Sequence, residues 1–289
     1  MGTTVILAIM GGILATPLGI RFFSSRDQIF IRVHDRLSLF LPYFFCAFLV
    51  VVLDKMEIKY GESLASHYGW EYTSLIHSIE GDIVVEIQNW GNNVHLTYFL
   101  AFMYFVTFTF MLYFSLIFYF FCGEETHARK IALAYLLNYL FVLPFYLFFP
   151  VTETWRAYEF LDAPQKMQAL LFNFDRDILQ SVTTFSALNN CFPSMHTSLS
   201  TTIALISLHS KYKRYTLFCW ISAFLIILST IYLGIHWVSD IVAGVILAVF
   251  VYFLSNKIDY EISFPFRIEY VKIGSHIFLG DHKTEPVSG

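Results

Sequence analysis

Seven apolar runs dominate this 289-residue chain, at 3–20, 37–53, 96–121, 131–150, 193–209, 216–234 and 238–255. A helix crosses the hydrocarbon core of a bilayer in about 20 mainly apolar residues, with a range of about 17–25. Backbone polar groups in lipid must be satisfied within the protein, which favours helices for runs of this length. The expected fold is all-α: a polytopic membrane helical bundle of about six or seven transmembrane helices. Charge agrees. Only 14% of the residues are charged, against about 25% in a soluble domain. The net charge is −4 and no basic cluster is present, so no nucleic-acid partner is expected.

No basic stretch precedes the first run and no clear cleavage site follows it, so it reads as a retained helix. Gly11, Gly12 and Gly19 suit close helix packing there. Arg21, Arg26, Arg32 and Arg36 follow, on a stretch expected to lie along the membrane surface. Residues 54–95 are polar and acidic, with Glu57, Glu62, Glu71, Glu80, Asp82 and Glu86. Within them, Tyr72, Leu75, Ile76, Ile79, Ile83, Ile87 and Trp90 repeat at helical spacing. This predicts one amphipathic interfacial helix over 72–90, its acidic residues forming a solvated face. A second polar loop covers 151–190, and the tail 256–289 is polar and mixed. Three units are expected: N-terminal helices with the interfacial segment (1–95), a catalytic membrane bundle (96–255) and a cytoplasmic tail (256–289). Cys46, Cys122, Cys191 and Cys219 show neither metal-ligand spacing nor a disulfide framework, so free buried thiols are expected.

Two short stretches carry chemistry. The first is Phe192-Pro193-Ser194-Met195-His196-Thr197-Ser198, and the second runs from Ser229 through His236 to Asp240. On a helix, His236 and Asp240 would share a face at i,i+4 spacing. A carboxylate accepting from one ring nitrogen fixes the imidazole tautomer and makes the other nitrogen more basic. Pro193 suits a first helical turn, which places Ser194 and His196 where free N–H groups favour an anion. Two histidines, a carboxylate and an anion cradle point to phosphoryl transfer.

These stretches resemble the second and third signatures of the type 2 phosphatidic acid phosphatase superfamily, roughly P-S-x-H and S-R-x5-H-x3-D. Ser229-Thr230 in place of Ser-Arg is similar to the inositol phosphorylceramide synthase-like branch. The resemblance is strongest from Phe192 to Gly244. It implies that His236 attacks phosphorus to form a phosphohistidine and that Asp240 orients it. His196 would protonate the leaving oxygen, and Ser194 would bind phosphate oxygens. The usual first signature, K-x6-R-P, is absent. Phe149-Pro150 followed by Trp155-Arg156 looks like the branch's pattern at this point, which makes Arg156 the expected phosphate clamp, with Lys166 and Arg176 weaker candidates. No cofactor and no metal are expected. His196, His236 and Asp240 are ligand types that zinc accepts, but nothing supplies a matching second shell. The hydrophobicity excludes a soluble haloperoxidase relative.

The implied function is an integral-membrane lipid phosphatase/phosphotransferase, acting on a phospholipid or a polyprenyl (di)phosphate. Transfer to an alcohol acceptor instead of water would make it a head-group transferase. A non-catalytic transport or scaffold protein retaining the fold is the alternative of another class. It would be expected to have lost the catalytic side chains, and all three are present. Basic residues set orientation. With the N-terminus outside, 13 of the 18 Lys and Arg fall on the cytoplasmic side. Both histidines then face outward, as expected for a multi-pass protein of the cell membrane with an extracytoplasmic site.

Overall fold

A computed structural model describes residues 3–24, 33–68, 70–91, 93–163, 165–173 and 188–258, with two short strands beyond. Arg26, Arg32, Arg176, Arg267 and Lys283 lie outside the described residues. Ten helices and a 3₁₀ turn are described: α1 Thr3–Phe23, α2 Val33–Tyr68, α3 Thr73–Glu80, α4 Ile83–Trp90, α5 Val94–Cys122, α6 Glu125–Phe148, α7 Thr154–Phe160, α8 Met195–Ser207, α9 Lys213–Tyr232 and α10 Val238–Lys257. The bundle is all-α, as its apolar runs dictate. Strands β1 Tyr270–Ile273 and β2 His276–Leu279 form an antiparallel hairpin in the tail.

Four helices, α5, α6, α9 and α10, are long and apolar enough to cross a membrane. The described part of α1 adds a shorter apolar stretch, Met10–Phe23. This is a membrane protein. The expected fifth span is a shorter helix than its apolar run, because Pro193 and Ser194 lie before its first turn. Ser194 is the N-cap, its Oγ accepting from the Thr197 N–H at 3.2 Å. Pro193 therefore precedes the helix and does not open it. The 13 residues of α8 rise about 20 Å, less than the roughly 30 Å of hydrocarbon. Pro144 is accommodated inside α6.

Small residues let the helices approach. A Cβ on Gly244 of α10 would lie 2.6 Å from the Ser194 carbonyl and 3.0 Å from Thr197 Cβ. The starts of α8 and α10 are thus in backbone contact, sealed by the Ser194 N–H donating to the Asp240 carbonyl at 3.0 Å. Gly12 and Gly19 do the same for α1, facing Tyr113 and Phe114 of α5, whereas Gly11 faces open space. Aromatic rings fill the centre: Phe23, Phe114, Phe118 and Tyr215 pack edge-on, tilted or stacked within about 6 Å of one another.

The interfacial segment departs from expectation. It is two helices, broken at Gly81, whose φ of +62° is a glycine conformation. Nor does the pair simply lie on a surface. Ile76, Val84 and Val85 pack into a cluster with Val151, Tyr158, Cys191 and Trp237. Its acidic residues are not all solvated. Asp82 accepts from the Tyr158 hydroxyl at 2.8 Å, and outside the pair Glu57 of α2 is buried beside Asn190. Glu80 and Asp82 are half-buried, and Glu86 is exposed.

Candidate active site

The end of α9 shapes the loop that carries His236. Gly234, at φ +83°, follows the helix in a left-handed conformation. The Gly234 N–H donates to the Ile231 carbonyl at 3.1 Å, and the Ile235 N–H to the Thr230 carbonyl at 2.9 Å. This is a Schellman stop, and glycine is the residue it selects. The His236 N–H also donates to the Thr230 carbonyl, at 3.1 Å. Thr230 thus holds the loop by its backbone, while its hydroxyl donates to the Ile227 carbonyl. The Gly234 carbonyl in turn accepts from the Trp155 N–H at 2.9 Å, tying the start of α7 to the loop.

His236 lies before α10, not on it, so its approach to Asp240 has a different cause from a shared helix face. Asp240 reaches back as the third residue of a capping box, its Oδ2 accepting from the Trp237 N–H at 2.9 Å. The same oxygen is 3.2 Å from His236 Nδ1. With Nδ1–H donating there, Nε2 faces His196 Nδ1 at 3.4 Å. The structure thus brings His236, His196 and Asp240 together with Ser194, the N-cap beside them.

His236 is 3% exposed and Asp240 fully buried. Burial pushes the His236 imidazolium down to about 3, although the Cys191 backbone carbonyl pulls the other way. The ring is therefore neutral at physiological pH, with a lone pair on Nε2. His196 is half-buried between two aromatic rings, Tyr104 at 4.7 Å and Phe108 at 4.5 Å between centroids. Both come from a π turn in α5, Met103–Thr107, and the residue after it. Such turns are frequent at functional sites.

Arg156 sits in the first turn of α7, half-buried, and acts electrostatically on the Glu153 carboxyl. Lys166 is exposed and donates to the Tyr158 carbonyl at 3.2 Å. Tyr232 packs, its hydroxyl donating to the Gly91 carbonyl at 2.9 Å.

Sequence reasoning missed two carboxylates. Glu80, at the end of α3, accepts from the Val238 N–H at 2.9 Å and the Ser239 N–H at 2.5 Å. It caps the start of α10 from 158 residues away, and nothing local announces it. Glu153 is 2% exposed, and burial pushes its carboxyl up to about 7 against the Trp155 indole N–H and Arg156. Its sole signal was a place three residues before Arg156. All four cysteines are free, as expected, and Cys191 sits against His236 and Asp240.

Comparison with curated proteins gave no match, and neither did comparison with solved structures. The family model described as PAP2 superfamily matches residues 74–254, which takes in α3 to α10 and every residue of the cluster described above. That match spans well over half of the sequence, and the chain belongs to the PAP2 superfamily.

Proposed function

We propose that this membrane protein moves a phosphoryl or substituted phosphoryl group from a lipid phosphate through a phosphohistidine on His236. PAP2 superfamily membership suggests phosphatase or phosphotransferase chemistry. The observation that carries the finer reading is the chain Asp240 Oδ2, His236 Nδ1 and Nε2, His196 Nδ1, at 3.2 and 3.4 Å. Neutral His236 attacks phosphorus with Nε2. The N–P bond forms as the ester P–O bond breaks, and His196 gives its proton to the departing oxygen. Asp240 steadies the positive ring. His196 then takes the proton of the incoming water or alcohol, whose oxygen displaces the histidine. Positioning and fixed dipoles supply the stabilisation, so no metal is required for either step.

The phosphate oxygens fit the start of α8. Ser194 Oγ already accepts from Thr197 and has its own proton to donate, and the Met195 and His196 N–H groups have no partner among the described residues. Arg156 is the proposed clamp, since a guanidinium grips phosphate with two parallel bonds. Water as acceptor makes a lipid phosphatase. An alcohol makes a head-group transferase of the inositol phosphorylceramide synthase-like branch, a reading favoured by Thr230. That residue brings no cation to the site, which suits a phosphodiester of lower charge. Taken over the seven spans expected from the sequence, the basic-residue count favours a multi-pass protein of the cell membrane with this site on the extracytoplasmic side.

The test is turnover by purified protein in detergent on phosphatidate, a polyprenyl diphosphate and phosphatidylinositol, with and without an alcohol acceptor. Free phosphate that disappears in His236→Ala and survives a chelator is the phosphatase outcome. A lipid product carrying the acceptor is the transferase outcome. Turnover that persists in His236→Ala overturns the phosphohistidine, and no turnover on any lipid favours a transport or scaffold role.

A further inference from the structure

The phosphoryl-transfer reading leaves one buried neighbour of His236 unused. Cys191 is 2% exposed, and its Sγ, a His236 ring nitrogen and an Asp240 carboxylate oxygen all lie within 4.8 Å of one another. The thiol makes a single long contact, donating to the Ile235 carbonyl at 3.5 Å. Asp240 supplies a second, independent observation. Its Oδ2 is occupied by Trp237 and His236, but its Oδ1 is buried with no hydrogen-bond partner. A buried carboxylate oxygen without a partner is costly and calls for a ligand. One sulfur, one nitrogen and one oxygen donor form a set that borderline-soft divalent ions accept, zinc above all, with bonds of about 2.0–2.3 Å. Donors around such an ion lie about 3.3–3.6 Å apart, so contraction by about 1 Å closes the site.

We propose that Cys191, His236 and Asp240 form an inhibitory binding site for a soft divalent cation of the zinc class. The cation bonds to the Cys191 thiolate, displacing its proton to solvent, and to the His236 nitrogen and Asp240 Oδ1; water completes the tetrahedron. No electron changes hands. If the ion takes Nε2, the attacking lone pair is gone. If it takes Nδ1, the ring loses the bond to Asp240 that aims it. Either way the cation stops turnover, and the Cys191 thiol, which has no part in the proposed transfer, determines how tightly it binds. The inhibitory consequence rests on the phosphohistidine reading, whereas the binding itself does not.

The experiment separates the two. Cadmium chloride is titrated into the purified chelator-treated protein, and the sulfur-to-cadmium charge-transfer absorption is followed, with zinc chloride as competitor. One equivalent per chain is expected to bind, displaced by zinc. In Cys191→Ser the affinity falls by about 100-fold or more, since even partners one shell out from a metal are worth about 10–100-fold. Cys122→Ser and Cys219→Ser keep the band. Where a lipid substrate is turned over, zinc inhibits the parent over the same concentration range. Cys191→Ser turns over normally without metal and resists zinc. No band in the parent protein, or a band unchanged in Cys191→Ser, overturns the site whatever the activity shows. Binding at Cys191 with undiminished turnover overturns the inhibitory role and leaves the site standing.

Discussion

Helices α8 and α10 begin side by side, yet their first turns are finished in opposite ways. α10 is closed. Asp240 caps it from within, and Glu80 fills the next two N–H groups from a different part of the chain. α8 is open. Ser194 takes only the Thr197 N–H, and the two amides before it have no partner among the described residues. Both helix starts carry the positive end of a dipole. One has its anion built in, and the other is free to receive one. The closed start fixes the histidine proposed to attack, and the open start is the one proposed to take phosphate. A site with both starts open would bind phosphate in two places and aim at neither.

The contrast can be broken most severely at the nucleophile. His236→Ala should lower turnover by at least about 10⁴-fold, the order expected when a covalent nucleophile is removed. Asp240→Asn should cost about 10²–10⁴-fold, because the ring loses its tautomer and its aim. If α10 serves only as scaffold for an α8-centred reaction, both losses shrink to the size of a stability effect. Alkaline quenching of His196→Ala, with a radiolabelled substrate whose leaving group needs no proton, tests the order of events, because a phosphohistidine is hydrolysed by acid and survives alkali. A stable phosphoenzyme at neutral pH should accumulate if His196 activates the acceptor.

Next in size is the contact that holds the two starts together. Gly244→Ala places a methyl 2.6 Å from the Ser194 carbonyl, a backbone atom that cannot swing aside. Overpacking of this kind costs about 1–3 kcal/mol. It also pushes His196 away from His236, and a shift of about 1 Å at reacting groups costs about 10²-fold in rate. The expected signature is a large fall in kcat with a modest fall in melting temperature. A variant that loses stability but keeps its rate would show that the 3.4 Å histidine contact is not needed in turnover.

Opening the closed start should have a smaller effect. Glu80→Ala leaves the Val238 and Ser239 N–H groups without their acceptor, a loss of about 1.5–3 kcal/mol for bonds to a charged group. Turnover should fall about tenfold through kcat, with Glu80→Gln restoring only part of it, since its one amide oxygen accepts from one N–H while its NH2 faces the other. KM for the lipid phosphate should hold, because the phosphate is assigned to α8. A rise in KM without a change in kcat would move the phosphate to α10.

The same contrast marks what the sequence made legible and what it did not. His196, His236 and Asp240 were legible because their chemistry is written within two short stretches, and the bundle was legible because lipid leaves long apolar runs one solution. Glu80 was not, since its partners lie 158 residues on and its surroundings read as an ordinary acidic face. The break at Gly81 was hidden because apolar residues keep helical spacing through it. The length of α8 was overestimated since the apolar count runs past Pro193 and Ser194, which form its cap. Gly234 was the available signal for the His236 loop: a glycine two residues before a histidine, at the end of an apolar run, is a Schellman stop before it is a flexible spot.

Glu153 should give the smallest effect on rate, and show itself in stability instead. It is buried beside the Trp155 indole and Arg156, with its carboxyl pushed by burial up to about 7 from an ordinary 4.5. Below pH 4.5 the group is neutral folded and unfolded, and it imposes no penalty. Between 4.5 and 7 the unfolded chain releases its proton while the folded one keeps it, so stability falls as pH rises. Above 7 both forms are ionised and the loss levels off, at about 3 kcal/mol for 2.5 pK units. Glu153→Gln removes the titration. Melting temperatures in detergent between about pH 5 and pH 8 should therefore fall for the parent relative to the variant. Parallel curves would mean that Arg156 pairs with an ionised Glu153 throughout. In that case the guanidinium is already occupied by a carboxylate, and the phosphate at the open start of α8 must be held without it.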